Sequence, residues 1–290
     1  RDIKKNYKYP IELTKRNTNI SSPEPYGHQN HEFKPIPEFP VVYNSISPEI
    51  RSHVGSPERF YYGGLGVKLD TEIQFTRNFV LSSRYGISLL DNFDEKNSDP
   101  NSVLPHVRTE IVSYLQATDN YLTKLQLDYY WSPYKNIYTR LTGGIFEMMY
   151  GGFGAEILYK PFNTNFSVGY ESFKVKRRGY EQDFSFLDYE IITDHINLVY
   201  FDPNSRIQLR TSYGNYLAGD RGYTLDLSRK MDSGLQFGFF FSKTNVSAED
   251  FGEGSFDKGF YFRIPNDLFS KKKSKANTAF SLKTLTRDGG

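Results

Sequence analysis

The feature that most constrains this 290-residue chain is a repeated alternation of apolar and polar residues over segments of about ten residues. In residues 121–131, one face of an extended chain carries Tyr121, Leu125, Leu127, Tyr129 and Trp131, and the other carries Lys124, Gln126 and Asp128. Only a period of two separates these residues into an apolar and a polar set. The pattern therefore predicts β-strands with one apolar and one polar face.

The same pattern recurs along most of the chain, interrupted by turn-forming groups such as 160–163 and 231–234. It predicts an all-β fold of roughly 12 to 14 antiparallel strands. The predicted strands are 60–75, 79–90, 106–116, 121–131, 136–146, 152–160, 165–175, 191–201, 206–216, 221–229, 235–243, 256–264 and 277–285.

Residues 1–57 differ from the rest because they hold eight of the 14 prolines. Proline lacks the backbone N–H that a sheet needs, so this stretch is not predicted to be central sheet. We interpret 1–57 as an irregular linker or the end of an upstream domain, and 58–290 as the β domain. A chain that starts at Arg1 without a signal sequence is interpreted as a fragment of a longer protein.

Two architectures share this alternation: a soluble sandwich, and a transmembrane barrel whose apolar face meets lipid. Strands of nine to eleven residues and aromatic residues at strand ends favour the barrel. Connections also alternate between short and long, as in outer-membrane barrels, although 91–105 and 265–276 are long and fall at the short-turn end. Asp194 is a further misfit on an apolar face unless it lies near a strand end. The predicted aromatic girdle comprises Tyr129, Trp131, Tyr134, Tyr159, Phe162, Tyr200 and Phe201.

Composition excludes several other kinds of protein and site. The longest strongly apolar stretch, 235–241, is too short for a membrane-spanning helix. A net charge of +2 gives no basic excess for nucleic-acid binding. The chain has no cysteine, which excludes disulfides, thiolate metal sites and a cysteine nucleophile.

The sequence also contains several distinctive motifs, most of them rich in glycine. They are Gly55-Ser56-Pro57-Glu58, Met149-Tyr150-Gly151-Gly152-Phe153-Gly154-Ala155-Glu156, Tyr216-Leu217-Ala218-Gly219-Asp220-Arg221-Gly222, Leu225-Asp226-Leu227-Ser228-Arg229, and residues 247–259, which run from Ser247 to Gly259. With these motifs the sequence resembles the YjbH/GfcD-like family. The resemblance covers roughly residue 55 to the end. It implies a Gram-negative outer-membrane barrel, often a lipoprotein, that serves exopolysaccharide or capsule production.

Three motifs converge on one predicted mouth of the barrel and supply candidate polysaccharide contacts: Tyr150, Asp220, Arg221, Glu249, Asp250, Glu253 and Asp257. The acidic loop 249–257 could accept sugar hydroxyls or hold Ca²⁺, or it is a solvated loop. For Asp220 and Arg221 the favoured alternative is a turn stabilised by an ion pair. The glycines 151–152 could let the backbone approach a ligand closely or form a hairpin with positive φ, and the hairpin is favoured.

Charged residues on the predicted inner face include two further candidate contacts, Arg140 and Arg210. Their predicted companions are Lys124, Asp128, Glu156, Glu171, Asp226 and Arg263. Such a lining could hydrate a polysaccharide without binding it tightly, or it could fill the barrel with mutual ion pairs.

The sequence offers little for catalysis, because outside the Pro-rich segment only His106 and His195 are available as bases and neither lies in a known motif. We therefore expect a non-enzymatic outer-membrane protein of exopolysaccharide export or assembly, without cofactor, catalytic residue or metal. The expected partners are polysaccharide, outer-membrane lipid and other secretion proteins, not nucleic acid. Two alternatives stay open: an outer-membrane lipid- or glycan-modifying hydrolase, and a soluble glycan-binding β domain.

Overall fold

The computed structural model describes residues 38–54, 61–95, 104–247, 250, 256–265, 268, 277–283 and 288. The chain divides into two compact units, Arg1–Glu38 and Phe39–Gly290. The description below concerns the second unit, whose described part is almost entirely β-structure.

Thirteen strands form one sheet. Their bounds are β1 Val41–Val54, β2 Tyr61–Gln74, β3 Phe79–Asp91, β4 Asn120–Tyr134, β5 Ile137–Ile145, β6 Tyr150–Tyr159, β7 Phe166–Arg178, β8 Phe186–Asp202, β9 Ile207–Asn215, β10 Arg221–Lys230, β11 Gln236–Thr244, β12 Asp257–Pro265 and β13 Asn277–Lys283. A short helix, α1, spans Ile111–Ala117, and a 3-10 turn spans Phe93–Glu95. No helix in the described ranges is long and apolar enough to cross a membrane.

Each strand pairs antiparallel with the next along the chain, in the order β1 to β13. This confirms the predicted all-β antiparallel fold of about 12 to 14 strands. The sheet is open: within the described residues β1 pairs only with β2, and β13 only with β12.

Two strand predictions were wrong. One predicted strand is absent and one unpredicted strand is present, so the number of strands is unchanged. Segment 106–116, predicted as a strand, contains α1 instead. Strand β1 lies within the Pro-rich segment, where no strand was predicted. As an edge strand, β1 tolerates Pro48 because one side of its backbone needs no partner in the sheet.

The pairing register assigns each strand residue to one of two faces, because directly opposed residues share a face. We call inner the face that carries Asp128, which pairs with Thr142, and outer the face that carries Leu127, which pairs with Gly143. Tyr121 was predicted on the apolar face, and this was wrong. A bulge at Thr123 reverses the alternation, so Tyr121 pairs with Gly86 on the inner face and is 1% exposed.

The outer face is an apolar surface. Ile196 and Leu198 on β8 are 52% and 51% exposed, and Phe239 on β11 is 58% exposed. At the end where β4 meets β5, the predicted aromatic residues Tyr134, Tyr159 and Phe162 are also exposed. The rings of Phe166 and Tyr200 contact each other there at a tilt of 45°, with their centroids 4.8 Å apart. Two members of the predicted girdle differ: Trp131 is half-buried, and Phe201 pairs with Gln208 on the inner face.

Asp194 interrupts this outer face at a defined level. It lies opposite Asn215, the last residue of β9, whose Nδ2 donates a hydrogen bond to Asp194 Oδ1 at 2.5 Å. Lys174 and Glu190 form an ion pair of 3.1 Å on the same face nearby. Between Asp194 and Asp202, the outer face of β8 carries only the apolar or aromatic residues Ile196, Leu198 and Tyr200. The distance along the strand from Asp194 to Asp202 is about 26 Å.

The connections divide between two ends of the sheet. The loop end carries 92–119, 146–149, 179–185, 216–220 and 245–256, and the turn end carries 75–78, 135–136, 160–165, 203–206, 231–235 and 266–276. Because α1 replaces a predicted strand, the long connection 92–119 falls at the loop end, contrary to the prediction for 91–105. Connection 266–276 stays the long exception at the turn end.

Candidate functional site

Residues 104–118, which we call the inner segment, pack against the inner face near the loop end. The buried side chains of Val107 and Tyr114 belong to an apolar cluster with Tyr150 on β6, Val175 on β7 and Ala218 in the loop 216–220. Removing such side chains from water contributes about 25 cal/mol per Å² of apolar surface. This burial holds the inner segment against the strands that surround it.

Tyr114 in α1 is fully buried and forms hydrogen bonds through both its hydroxyl and its backbone carbonyl. Its Oη donates a hydrogen bond to the Arg178 carbonyl at 2.6 Å, and its own carbonyl accepts one from Gln182 Nε2 at 2.7 Å. Burial, followed by the nearby Tyr180, raises the pKa of Tyr114 well above its usual value. The phenol therefore stays protonated and keeps donating over the physiological pH range.

Arg178, at the end of β7, connects the strand and the loops that lie beside the inner segment. Its side chain is fully buried, and its guanidinium donates to the carbonyls of Leu122 at 2.8 Å and Glu147 at 3.0 Å. It also donates to the carbonyls of Met148, Gln182 and Asp183. One side chain therefore links the start of β4 with the loops 146–149 and 179–185.

The neighbouring Arg177 anchors the inner segment itself. Its guanidinium forms an ion pair with Glu110, just before α1, and donates to Tyr180 Oη at 3.0 Å. Tyr180 Oη in turn donates to Glu110 Oε2 at 2.6 Å. Because these charged groups are largely buried, their mutual hydrogen bonds are required to offset desolvation.

Asp288, after β13, is a second anchor. It is fully buried, and its Oδ1 accepts hydrogen bonds from the backbone N–H groups of Arg108 at 2.6 Å and Thr109 at 3.0 Å. Thr109 Oγ1 donates to Asp288 Oδ2 at 2.7 Å. The carboxylate thereby satisfies backbone donors of the inner segment.

A cavity of about 480 Å³ opens between the inner segment and the inner face. Arg108 and Glu147 lie at one side, joined by an ion pair of 2.8 Å. Glu171 on β7 and His195 on β8 lie on another, with Oε1 and Nδ1 3.7 Å apart. Four aromatic residues also line the cavity, namely Phe146, Tyr150, Phe173 and Tyr216. The other lining residues are Val107, Val175, Thr193, Leu217 and Ala218.

The charged residues predicted on the inner face all lie there by register. Arg140 pairs with Glu156 and lies 3.6 Å from Asp128, while Arg210 Nη2 donates to Asn197 Oδ1 at 3.3 Å. The full set is Lys124, Asp128, Arg140, Glu156, Glu171, Arg210, Asp226 and Arg263. Arg140 is thus tied into a network, whereas Arg210 is exposed on the inner face.

The cavity brings together only part of the predicted contact set. Tyr150 lines it, but Asp220 and Arg221 are not among its lining residues. Arg221 lies on the outer face with its guanidinium 5.1 Å from the Tyr213 ring centre, whereas Asp220 is buried. Alternating strand geometry thus points these two neighbours in opposite directions.

The glycines beside Tyr150 serve strand packing. The positive-φ glycines of the described chain are Gly144, Gly219 and Gly234, so residues 151–152 do not supply the hairpin conformation that was predicted for them. A Cβ on Gly152 would lie 2.1 Å from the Lys174 carbonyl oxygen. Glycine at 152 therefore permits close approach of β6 and β7.

The acidic loop is described only in part, because Glu249 and Glu253 lie outside the described residues. Asp250 accepts a hydrogen bond from Ser247 Oγ at 2.7 Å, and its backbone N–H donates to the same oxygen. Asp257 is buried at the start of β12. Among the described residues, no group of three or more acidic or histidine side chains is arranged to hold a metal ion.

The two histidines considered for catalysis contact no serine hydroxyl within the described ranges. His106 Nδ1 lies 3.2 Å from Thr109 Oγ1 and 3.5 Å from Asp288 Oδ2. A catalytic imidazole would use one nitrogen for the nucleophile and the other for the acid. In His106 the same nitrogen, Nδ1, faces both the Thr109 hydroxyl and the Asp288 carboxylate. The Thr109 hydroxyl donates directly to Asp288, so His106 does not link the two in the way that a catalytic imidazole would.

Sequence reasoning missed the residues that build this site. Arg177 and Arg178 end a Lys-Val-Lys-Arg-Arg run that is typical of a solvated loop, and Tyr114 was placed on a predicted strand. One signal in the sequence did indicate that this segment is buried. Four of the five residues in 111–115 are apolar or aromatic, which is more than is usual for an exposed loop.

Apolar outer residues, a charged inner face and an inner segment at the loop end define a large antiparallel β-protein whose sheet has one apolar and one polar face. The profile of the YjbH family, described as exopolysaccharide biosynthesis protein YbjH, matches residues 4–290. The chain belongs to this family. It is 36% identical over 253 residues to the uncharacterized lipoprotein YjbH of Escherichia coli strain K12. The match covers 84% of this chain and 36% of that protein, so this chain spans about a third of its curated relative.

Solved structures with a similar arrangement include two porins. A Salmonella typhi OmpF complex with daunomycin aligns with 86% of this chain and 91% of that chain, at 12% identity and a TM-score of 0.43. A BenF-like porin from Pseudomonas fluorescens Pf-5 aligns with 85% of this chain and 68% of that chain, at 12% identity and a TM-score of 0.43.

Proposed function

We propose that this chain forms a β-barrel wall in the Gram-negative outer membrane and takes part, without catalysis, in the export or assembly of an exopolysaccharide. The observation that carries the proposal is the opposite character of the two faces of the sheet. Leu198 on the outer face is 51% exposed, whereas Asp128, Arg140 and Glu156 face inward. Lipid would remove the exposed apolar surface from water, and a polar interior suits a hydrated polymer.

Membership of an exopolysaccharide biosynthesis family supports an exopolysaccharide as the polymer. The proposed point where the polymer enters or leaves the protein is the loop end of the sheet. There the inner segment lies beside an aromatic cavity that includes Tyr150 and Tyr216. Export in this proposal follows the inner face past that cavity. Other secretion proteins and outer-membrane lipid are the proposed partners.

Residues 1–290 contain no cysteine, so a thiol introduced there is the only one in this part of the protein. In the full-length protein, with any reagent-accessible cysteine outside residues 1–290 replaced, Thr193→Cys places a thiol on the inner face beside the cavity, and Glu181→Cys places one on an exposed loop at the same end. Labelling with a bulky maleimide in cells should reduce polymer secretion by the Thr193→Cys protein and leave that of the Glu181→Cys protein unchanged. Undiminished secretion by fully labelled Thr193→Cys would contradict an export route along this face.

The acidic loop supplies a second test of the same function. Replacing Glu249, Asp250, Glu253 and Asp257 together by their amides should impair secretion while the protein still assembles. Amides keep the local hydrogen bonds of Asp250 and the volume of the buried Asp257. Normal secretion would reduce the loop to a solvated connection.

A further inference from the structure

The cavity beneath the inner segment has a feature that its protein neighbours do not explain. Tyr150 is 2% exposed, and in the described part of the chain its buried hydroxyl has no hydrogen-bond partner. Leaving a buried hydroxyl unsatisfied costs about 1–3 kcal/mol, so such groups normally have a protein, water or ligand partner. Tyr150 lines the cavity, and its hydroxyl is enclosed, so a bound molecule supplies that partner once the side chains around the hydroxyl move aside.

The rest of the lining combines two kinds of surface. Phe146 and Phe173 are in edge contact, with centroids 5.7 Å apart, and Tyr216 packs on the His195 ring with centroids 4.9 Å apart. Two acidic residues, Glu147 and Glu171, line the same cavity. A sugar ring has the matching chemistry, because its C–H faces are apolar and its rim carries hydroxyls that donate to carboxylates and accept from a phenol.

The charge of the lining selects among sugars. Two carboxylates, Glu147 and Glu171, face one guanidinium, Arg108, and one imidazole, His195. The formal sum is −1 with a neutral His195 and 0 with a protonated one, so it is never positive. Glu147 is already paired with Arg108, which leaves no unpaired guanidinium for an anionic ligand. A uronic-acid or other acidic residue is therefore disfavoured by like charge.

We propose that this cavity is a subsite for a short stretch of neutral or amino sugar residues, with the Tyr150 hydroxyl and the Glu171 carboxylate as its polar contacts. The volume of about 480 Å³ lies within the usual range of ligand sites, about 300–1,000 Å³. The inference deepens the proposed function and rests on it for the identity of the polymer. It adds a site and a preference for uncharged or cationic sugars.

Binding to the full-length protein in detergent tests the subsite. Titration calorimetry with cellotriose, a chitosan trimer and trigalacturonic acid should show the first two binding at least tenfold more tightly than the third. Tyr150→Phe should weaken cellotriose binding about five- to tenfold without lowering the denaturation midpoint, since the hydroxyl makes no hydrogen bond to the protein within the described residues. Tyr223→Phe, which removes an outer-face hydroxyl, is the matched control and should leave the affinity unchanged.

Glu171→Gln tests the charge argument separately. It keeps the side-chain volume and removes one of the two carboxylates, so the affinity for trigalacturonic acid should rise relative to that for cellotriose. The proposal is overturned if no trimer binds, if Tyr150→Phe binds cellotriose as the unmodified protein does, or if trigalacturonic acid binds best. Secretion by cells distinguishes the two proposals. A protein that supports secretion but binds no trimer refutes the subsite alone, whereas trimer binding without any role in secretion refutes the export function.

Discussion

At the scale of single residues, Arg178 shows how a charge can be structural. Its guanidinium donates only to backbone carbonyls among its recorded hydrogen bonds, including those of Leu122, Glu147 and Asp183. Arginine suits this position because its planar group presents five donors in fixed directions. The carbonyls belong to three separate loops and strands, so the contact fixes their relative positions.

Replacing Arg178 by Met should therefore destabilise the protein by about 3 kcal/mol or more, because several buried carbonyls lose their donor. Arg229→Met, at an exposed outer-face position, is the control and should change stability little. The urea midpoint of the folded band on unboiled gels measures both. Equal midpoints for the two variants would contradict the structural role of Arg178.

The residue scale is also where sequence prediction reached least far. The inward placement of Asp128 and Glu156 followed from the two-residue period alone. The burial of Arg178 and Asp288 did not, because it depends on contacts with segments far away in sequence. The prediction that Tyr121 lies on the apolar face failed for a local reason. One extra residue at Thr123 reverses the faces of the β4 side chains that precede it.

At the scale of elements, the inner segment is fixed by a small number of anchors. Glu110 joins Arg177 and Tyr180, and Asp288 joins the backbone of Arg108 and Thr109. Helix α1 has seven residues and no side-chain cap, so it would not be stable in isolation. Its position therefore depends on these contacts and on the apolar cluster.

Glu110→Ala should loosen the inner segment by removing the partner of Arg177 and the acceptor of Tyr180. We expect the full-length protein in planar bilayers to show higher or more variable conductance as a result. Glu181→Ala, at an exposed position in a loop of the same end, should conduct like the unmodified protein. Identical conductance of the two variants would show that the Glu110 contacts do not hold the segment.

Strand β11 offers a matched test of the two faces. Phe239 and Phe240 are neighbours that point to opposite faces: Phe239 pairs with Leu227, and Phe240 pairs with Asp226. Phe239→Lys should cost about 2 kcal/mol in a bilayer, because it places a charge against lipid. Phe240→Lys places the charge beside Asp226 and should cost less. Urea titration in lipid vesicles measures the difference, and the reverse order would contradict the assignment of faces.

The elements were predictable where long alternation is supported by turns, and not elsewhere. Segment 106–116 reads as a strand because Val107, Ile111 and Val112 are β-branched, but packing on the inner face makes part of it helical. Strand β1 was missed because prolines argue against sheet, and an edge position removes that objection.

At the scale of the whole molecule, the sheet has thirteen strands and two free edges in its described part. In an antiparallel series of odd number, the first and last strands run in the same direction. Their direct pairing would require one parallel contact, whereas further strands would allow an antiparallel seam.

The central claim is that the exposed apolar face meets lipid in the outer membrane. Fractionation of cells that contain the full-length protein, followed by gel migration of unboiled and boiled samples, tests it most directly. The account predicts recovery with the outer membrane and a change of mobility on boiling. A monodisperse protein that is folded in buffer without detergent would contradict the membrane barrel and favour a soluble glycan-binding β domain.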